Sequence, residues 1–191
     1  MKKSAVFIDR DGTVNEQMGY INHISRFVML PGAAEAIKLL NNYQYLAIIV
    51  SNQSGVARGY FPIELVDEVH AHMREMLEKD GAFLDGIFYC PHYAKGIVPE
   101  LSIDCDCRKP KTGLIEKACE AFDIDMSNSY VIGDRYTDIE LALRSNVKGI
   151  LVATGYGLGD TNYVFPRLSF KPAHIAKDLL QAVRWIIKTG N

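Results

Sequence analysis

Five short, almost wholly apolar runs punctuate the chain, at residues 5–8, 46–50, 86–89, 129–132 and 148–153. Each has the length of a strand and gives way to small or polar residues, the pattern of strands buried on both faces. Between them the apolar period lengthens. After Pro31-Gly32, the residues Ala33, Ile37 and Leu40 recur at helical spacing; over 62–80, Leu65, Val69, Met73, Met76 and Leu77 form one stripe. Further helices are predicted over 114–122, 138–145 and 173–188, the last with Ile175, Leu179, Val183 and Ile186 at turn intervals. Strands alternating with helices predict an α/β fold, a three-layer sandwich around a mainly parallel sheet. Residues 14–30 follow neither period and are expected to form a flap.

Composition narrows this picture. The 191 residues are 48% apolar and 23% charged, with no repeat and no Ser/Gly linker, which predicts one domain spanning 1–191. A formal net charge of −2 gives no electrostatic footprint for nucleic acid. Met1-Lys2-Lys3-Ser4 is basic, but only four apolar residues follow, short of the roughly 7–15 of a signal peptide. No stretch approaches the ~20 apolar residues of a membrane span. The expectation is a cytoplasmic protein without membrane contact. No apolar stripe is left over for a partner, so a monomer is expected.

The candidate chemistry lies just past the strands. Asp9 and Asp11, one residue apart at the end of the first run, share a side because strand side chains alternate. Gly12 then allows a sharp turn. Such a pair can bind a divalent cation, or divide nucleophilic and proton-transfer work; an ordinary acidic turn is the plainer alternative. Ser51-Asn52-Gln53-Ser54-Gly55 follows the second run and offers a hydroxyl and free N–H groups to a phosphate, or merely a helix cap. Arg108-Lys109-Pro110 offers a bidentate fork and a compact positive charge. Gly133-Asp134-Arg135-Tyr136-Thr137-Asp138 follows the fourth run: Asp134 is a hard oxygen ligand for Mg²⁺, and Asp138 can hold the loop or cap the next helix. In open α/β sheets ligands bind beyond the carboxyl ends of the strands, so the four segments are expected to converge.

Asp-x-Asp-Gly-Thr, Ser-Asn, Lys-Pro and Gly-Asp-x-x-x-Asp, in that order and each after a strand, resemble the haloacid dehalogenase superfamily of phosphatases. The resemblance implies a Rossmann-like fold without a separate cap domain and hydrolysis of a phosphate monoester in two steps. It implies Asp9 as nucleophile, forming an aspartyl-phosphate, and Asp11 as acid and then base. Ser51 and Lys109 would stabilise the transferring phosphoryl group, and Asp9, the backbone carbonyl of Asp11 and Asp134 would hold catalytic Mg²⁺.

Cys90-x-His92, twelve further residues and Cys105-x-Cys107 supply three sulfurs and one imidazole, a complete set for a closed tetrahedral Zn²⁺; reduced thiols are the alternative. Arg108 and Lys109 follow the last of these, so a clamped loop would fix both. Cys-x-His…Cys-x-Cys-Arg-Lys-Pro resembles a zinc-bearing branch of the superfamily whose members act on heptose bisphosphates or on histidinol phosphate. The segment 51–59 and Gly19-Tyr20 resemble the heptose members. Gln17 replaces an acidic residue found there, and Gly133-Asp134-Arg135-x-Thr137-Asp138 reads equally like the histidinol members. The resemblance favours a small phosphosugar substrate feeding cell-envelope polysaccharide synthesis. It implies that Gly19, Tyr20, Ser51, Asn52, Gln53, Ser54, Arg108 and Lys109 bind it, Asn52 and Gln53 at the phosphate end. A catalytically silent phosphosugar-binding or zinc-dependent interaction module is the alternative of a different class.

Other positions are expected to be structural. His70 and His72 read as exposed polar residues of a helix, His23 and His174 as isolated ones. Gly155-Tyr156-Gly157-Leu158-Gly159 reads as a flexible connection, Cys119 as filler and Trp185 as packing for the last helix.

Overall fold

The computed structural model describes residues 2–190. Its six strands form one parallel sheet in the order β3-β2-β1-β4-β5-β6. They are β1 (Ala5–Ile8), β2 (Leu46–Asn52), β3 (Gly86–Cys90), β4 (Tyr130–Gly133), β5 (Lys148–Val152) and β6 (His174–Ala176). The helices are α1 (Ala33–Asn42), α2 (Ile63–Lys79), α3 (Gly113–Ala121), α4 (Tyr136–Arg144), a single turn α5 (Gly157–Gly159) and α6 (Leu179–Thr189).

Alternation along the central strands builds both layers. Val6 and Ile8 join Ile49, Ile132 and Ile150 under α1, α2 and α6, whereas Ala5 and Phe7 join Ile48, Val50 and Val131 under α3 and α4. The four residues of β1 are wholly buried. Such a strand, paired on both sides and covered on both faces, is a rigid base for the side chains that follow it. Past its end, Asp9 N–H still donates to Ile132 O at 2.9 Å, which carries the β1–β4 pairing one residue into the site.

The end of the chain departs from the expected helix over 173–188. His174–Ala176 is a sixth strand, paired with Ile150–Val152, and Ile175 is largely exposed. The helix begins only after Asp178, whose carboxylate accepts from Gln181 N–H at 2.9 Å and caps it. The chance fit of Ile175 to the helical period masked that boundary. Among the described residues, 10–32 carry only the turn Ile24–Arg26 as helix, so this stretch is a loop anchored by buried Val14, Ile21 and Phe27. No described helix is long and apolar enough to cross a membrane.

Candidate active site

The chain runs β1 to β3 in one direction across the sheet and β4 to β6 in the other, so a crevice opens where β1 and β4 end. A cleft of about 540 Å³ lies there, and Asp9, Asp11, Ser51, Asn52, Lys109 and Asp138 line it. Gly19, Tyr20, Ser54 and Arg108 line it too, as do Gln17, Arg58, Arg135 and Tyr156. Four segments remote in sequence are thus brought to one place.

Lys109 is its electrostatic centre. Nζ donates to Asp9 Oδ1 at 2.6 Å and to Val50 O at 2.9 Å, and it lies 2.7 Å from Asp138 Oδ1. Burial disfavours its charge, but Asp138 and Asp9 outweigh that and hold it protonated, above the usual lysine range. Its backbone is fixed as well: Lys109 N–H donates to Asn52 Oδ1 at 3.0 Å, and Asn52 Nδ2 donates to Lys109 O at 3.2 Å. Asn52 therefore spends its amide on aiming the lysine. Asp138 accepts from Arg135 N–H at 3.1 Å at the start of α4, as a helix cap would, and it also pairs with Lys109, a contact the sequence pattern did not foretell.

Carboxylate oxygens of Asp9, Asp134 and Asp138 lie within 4.8 Å of one another, all buried. Burial, and then the neighbouring carboxylates, push Asp9 up to about 7 against the pull of Lys109 and push Asp134 up to about 8. Asp134 Oδ1 is buried with no hydrogen-bond partner, while Oδ2 accepts from Tyr156 N–H at 2.8 Å. A concave acidic cluster of hard oxygens with one orphaned atom fits a divalent cation.

The loop after β5 closes over this cluster, contrary to the expected free connection. A Cβ on Gly155 (φ +56°) would come within 2.0 Å of Asp134 Oδ2, and one on Gly12 (φ +88°) within 2.2 Å of the same atom. Thr154 Oγ1 donates to Gly12 O at 2.6 Å and ties the two turns together. Asp160 Oδ2 accepts from Tyr136 N–H at 2.7 Å and anchors the first residue of α4. Gly155 is thus needed for close approach to a carboxylate, whereas at Gly157 a Cβ would meet the backbone oxygen of Val152.

Asp11 sits in a separate polar nest. Arg10 Nη2 donates to its two oxygens at 3.0 and 2.9 Å, Asn15 Nδ2 to Oδ1 at 3.0 Å, and Gln53 Nε2 to Oδ2 at 2.9 Å. Burial raises its pKa, but Arg10 and the amide donors outweigh burial and leave it below the usual carboxylate range. Gln53 Nε2 also donates to Ser51 Oγ at 2.8 Å. Gln53 does not line the cleft; it ties the Ser51 hydroxyl to the Asp11 carboxylate. His70, expected on the exposed face of α2, is 6% exposed, and its Nε2 lies 3.1 Å from Arg10 Nη1. The signal for this was present: His70 follows Val66 by four positions and precedes Met73 by three, both buried.

The second cluster forms as the spacing suggested. Cys90, His92, Cys105 and Cys107 place one ligand atom each within 4.8 Å of the others. Cys90 and Cys105 sulfurs are 3.4 Å apart, Cys105 and Cys107 3.3 Å, and His92 Nδ1 is 3.3 Å from Cys107 Sγ. A tetrahedral Zn²⁺ sets such edges at roughly 3.5–3.8 Å. The sulfurs are far too distant for a disulfide. Burial pushes the Cys90 thiol up; at Cys105 burial acts the same way, but hydrogen bonds from Cys107 and Cys90 prevail and lower it. Arg108 Nη1 donates to His92 O at 3.3 Å, which links this loop to the cleft.

Fold and site together define a hydrolase of the haloacid dehalogenase type, and a family model described as HAD-hydrolase-like matches residues 106–182. The chain is 38% identical over 190 residues to the D-glycero-D-manno-heptose-1,7-bisphosphate 7-phosphatase of Thermosynechococcus vestitus, covering 97% of this chain and 96% of that one. It is 44% identical over 157 residues to the D-glycero-beta-D-manno-heptose-1,7-bisphosphate 7-phosphatase of Haemophilus ducreyi, covering 81% and 86%. The crystal structure of the D,D-heptose 1,7-bisphosphate phosphatase from B. bronchiseptica, complexed with magnesium and phosphate, superposes with a TM-score of 0.85 at 26% identity, covering 97% of this chain and 98% of that one. The chain belongs to the heptose-bisphosphate phosphatase family.

Proposed function

We propose that residues 1–191 act as one monomeric cytoplasmic phosphatase domain that removes the 7-phosphate of D-glycero-D-manno-heptose 1,7-bisphosphate. The product, heptose 1-phosphate, would supply nucleotide-activated heptose for cell-envelope polysaccharide. The observation that carries the chemistry is the convergence of Asp9 and Lys109 in one strand-end cleft, with the buried Asp134 carboxylate within 4.8 Å of Asp9. The substrate follows from the relatives. It is consistent with Arg58, Arg108 and Arg135 in the cleft wall, guanidiniums suited to a second phosphate.

In this reading Asp9 attacks phosphorus and the bond to the sugar oxygen breaks. Asp11, whose pKa is low in the free protein, takes up a proton as the negative phosphate binds beside it and gives that proton to the sugar oxygen. A water then attacks the aspartyl-phosphate, Asp11 takes the water's proton, and Asp9 is released with inorganic phosphate. Lys109 and the Ser51 hydroxyl, held by Gln53, meet the phosphoryl oxygens as charge develops there. Asp9, Asp134 and the backbone carbonyl of Asp11 would hold Mg²⁺, and Asp138 lies at the edge of the same cluster. When bound, Mg²⁺ shields the phosphate charge from the attacking carboxylate. Cys90, His92, Cys105 and Cys107 would hold structural Zn²⁺ with no open position. Gly19, Tyr20 and Ser54 would meet the sugar, and Asn52 serves the phosphate end through Lys109.

Asp9→Asn tests the mechanism. It removes the nucleophile, so phosphate release should fall by about 10³-fold or more while the fold persists. Release at the wild-type rate would sink the aspartyl-phosphate route.

A further inference from the structure

We propose that His70 is a positioning residue for Asp11, acting through Arg10. The inference rests on the acid–base role given to Asp11 above.

Arg10 lies between the two carboxylates in sequence and is 1% exposed. A guanidinium only donates hydrogen bonds and stays charged, so each of its edges needs an acceptor when buried. Two edges face the site. Nε and Nη2 reach Asp11 at 3.3 Å and at 3.0 and 2.9 Å, and Nη2 also reaches Gln53 Oε1 at 3.0 Å. The third edge faces away, with Nη1 3.1 Å from His70 Nε2. Since Arg10 can only donate, that imidazole nitrogen carries the lone pair and the ring is neutral. The ring is itself propped: it meets Tyr89 of β3 at 5.2 Å between centroids, and Tyr89 Oη donates to Asp67 of α2 at 3.0 Å.

The guanidinium is planar, so fixing one edge fixes the others. His70 therefore locks the plane that aims both oxygens of Asp11. His70 does not line the cleft, and its route to the reacting atoms runs through Arg10. An apolar residue at this position would leave a donor of a buried cation unpaired, and the guanidinium would turn in search of a partner. Asp11 would turn with it.

Misplacing the acid has a signature that general loosening lacks. A sugar alkoxide needs a proton as the P–O bond breaks, whereas p-nitrophenolate leaves without one. Steady-state kinetics with Mg²⁺ on heptose 1,7-bisphosphate and on p-nitrophenyl phosphate, for wild type, His70→Leu, His70→Gln and Asp11→Asn, read it directly. His70→Leu should lower kcat/KM on the heptose, which reports the first transfer alone, about tenfold or more, and lower kcat/KM on p-nitrophenyl phosphate less than about threefold; kcat also contains the water step, in which Asp11 acts whichever substrate was used. His70→Gln, which can return an acceptor to Nη1, should recover most of the loss. Equal loss on both substrates, no loss on either, or no recovery with Gln would overturn the proposal. If His70→Leu does not fold, His70→Asn, whose amide is too short to reach Nη1, replaces it under the same criteria. Wild type inert on the heptose, or Asp11→Asn as fast as wild type on it, defeats the proposed function and this inference with it. An inactive Asp11→Asn beside an unaffected His70→Leu defeats this inference alone.

Discussion

One buried ammonium, Lys109, serves three buried carboxylates, Asp9, Asp134 and Asp138. The cluster is short of positive charge, and Asp9 and Asp134 respond by holding protons up to about 7 and about 8. A carboxyl whose folded pKa lies above its unfolded value binds protons more tightly when folded. It therefore costs stability as pH rises from the unfolded value through the folded one. The metal-free protein should accordingly lose thermal stability as pH rises from about 4 to about 8, and Mg²⁺ should restore more at the upper end, where fewer protons must be displaced. At about 100 times its Kd, Mg²⁺ adds ~2.7 kcal/mol, about 5–10 °C in melting temperature for a chain of this size. Melting curves with and without Mg²⁺ across that range check this. A Mg²⁺ increment independent of pH would contradict it. Asp11 has the opposite sign: its lowered pKa adds stability above its unfolded value, lost as pH falls through the folded one.

At the scale of elements, strand ends hold the chemistry while loops aim it. The loop from Cys90 to Cys107 fixes Arg108 through His92 O and delivers Lys109 to Asn52. If zinc clamps it, Cys105→Ser should lower bound zinc per chain to well under half the wild-type content and raise KM; metal analysis of the purified proteins decides, and equal zinc would refute the ligand set. The strand-end motifs were legible because an apolar run followed by a polar cluster has one reading in a parallel sheet, and Asp9, Ser51 and Asp134 all sit where that reading put them. The cysteine set was legible from ligand type. The Gly155 turn was not, since Gly155 serves close approach to Asp134, 21 residues back in the chain. The burial of His70 was legible from its spacing to Val66 and Met73, but its contact with Arg10 was not, because Arg10 lies 60 residues away in the turn after β1. Strand β6 was hidden by an isoleucine that happened to fit the helical period of α6.

At the scale of the molecule, the sheet brings residues 9, 51 and 134 to neighbouring strand ends, and the loop after β3 adds Lys109 to them. Its crevice opens where β1 and β4 end, and the walls come from loops: Gln17 and Tyr20 from the first, Ser54 and Arg58 from the second, Arg135 and Tyr156 from the last two. Substrate choice therefore belongs to these walls, and hydrolysis to the strand ends beneath them. The cationic wall suits a bisphosphate better than the monophosphate of a cationic amino alcohol such as histidinol phosphate, whose amine it would repel. Phosphate release with Mg²⁺, from heptose 1,7-bisphosphate and histidinol phosphate at equal concentration, tests this most directly. The account predicts a kcat/KM preference of about 10²-fold or more for the heptose, the equivalent of ~2.7 kcal/mol. A preference for histidinol phosphate would contradict it.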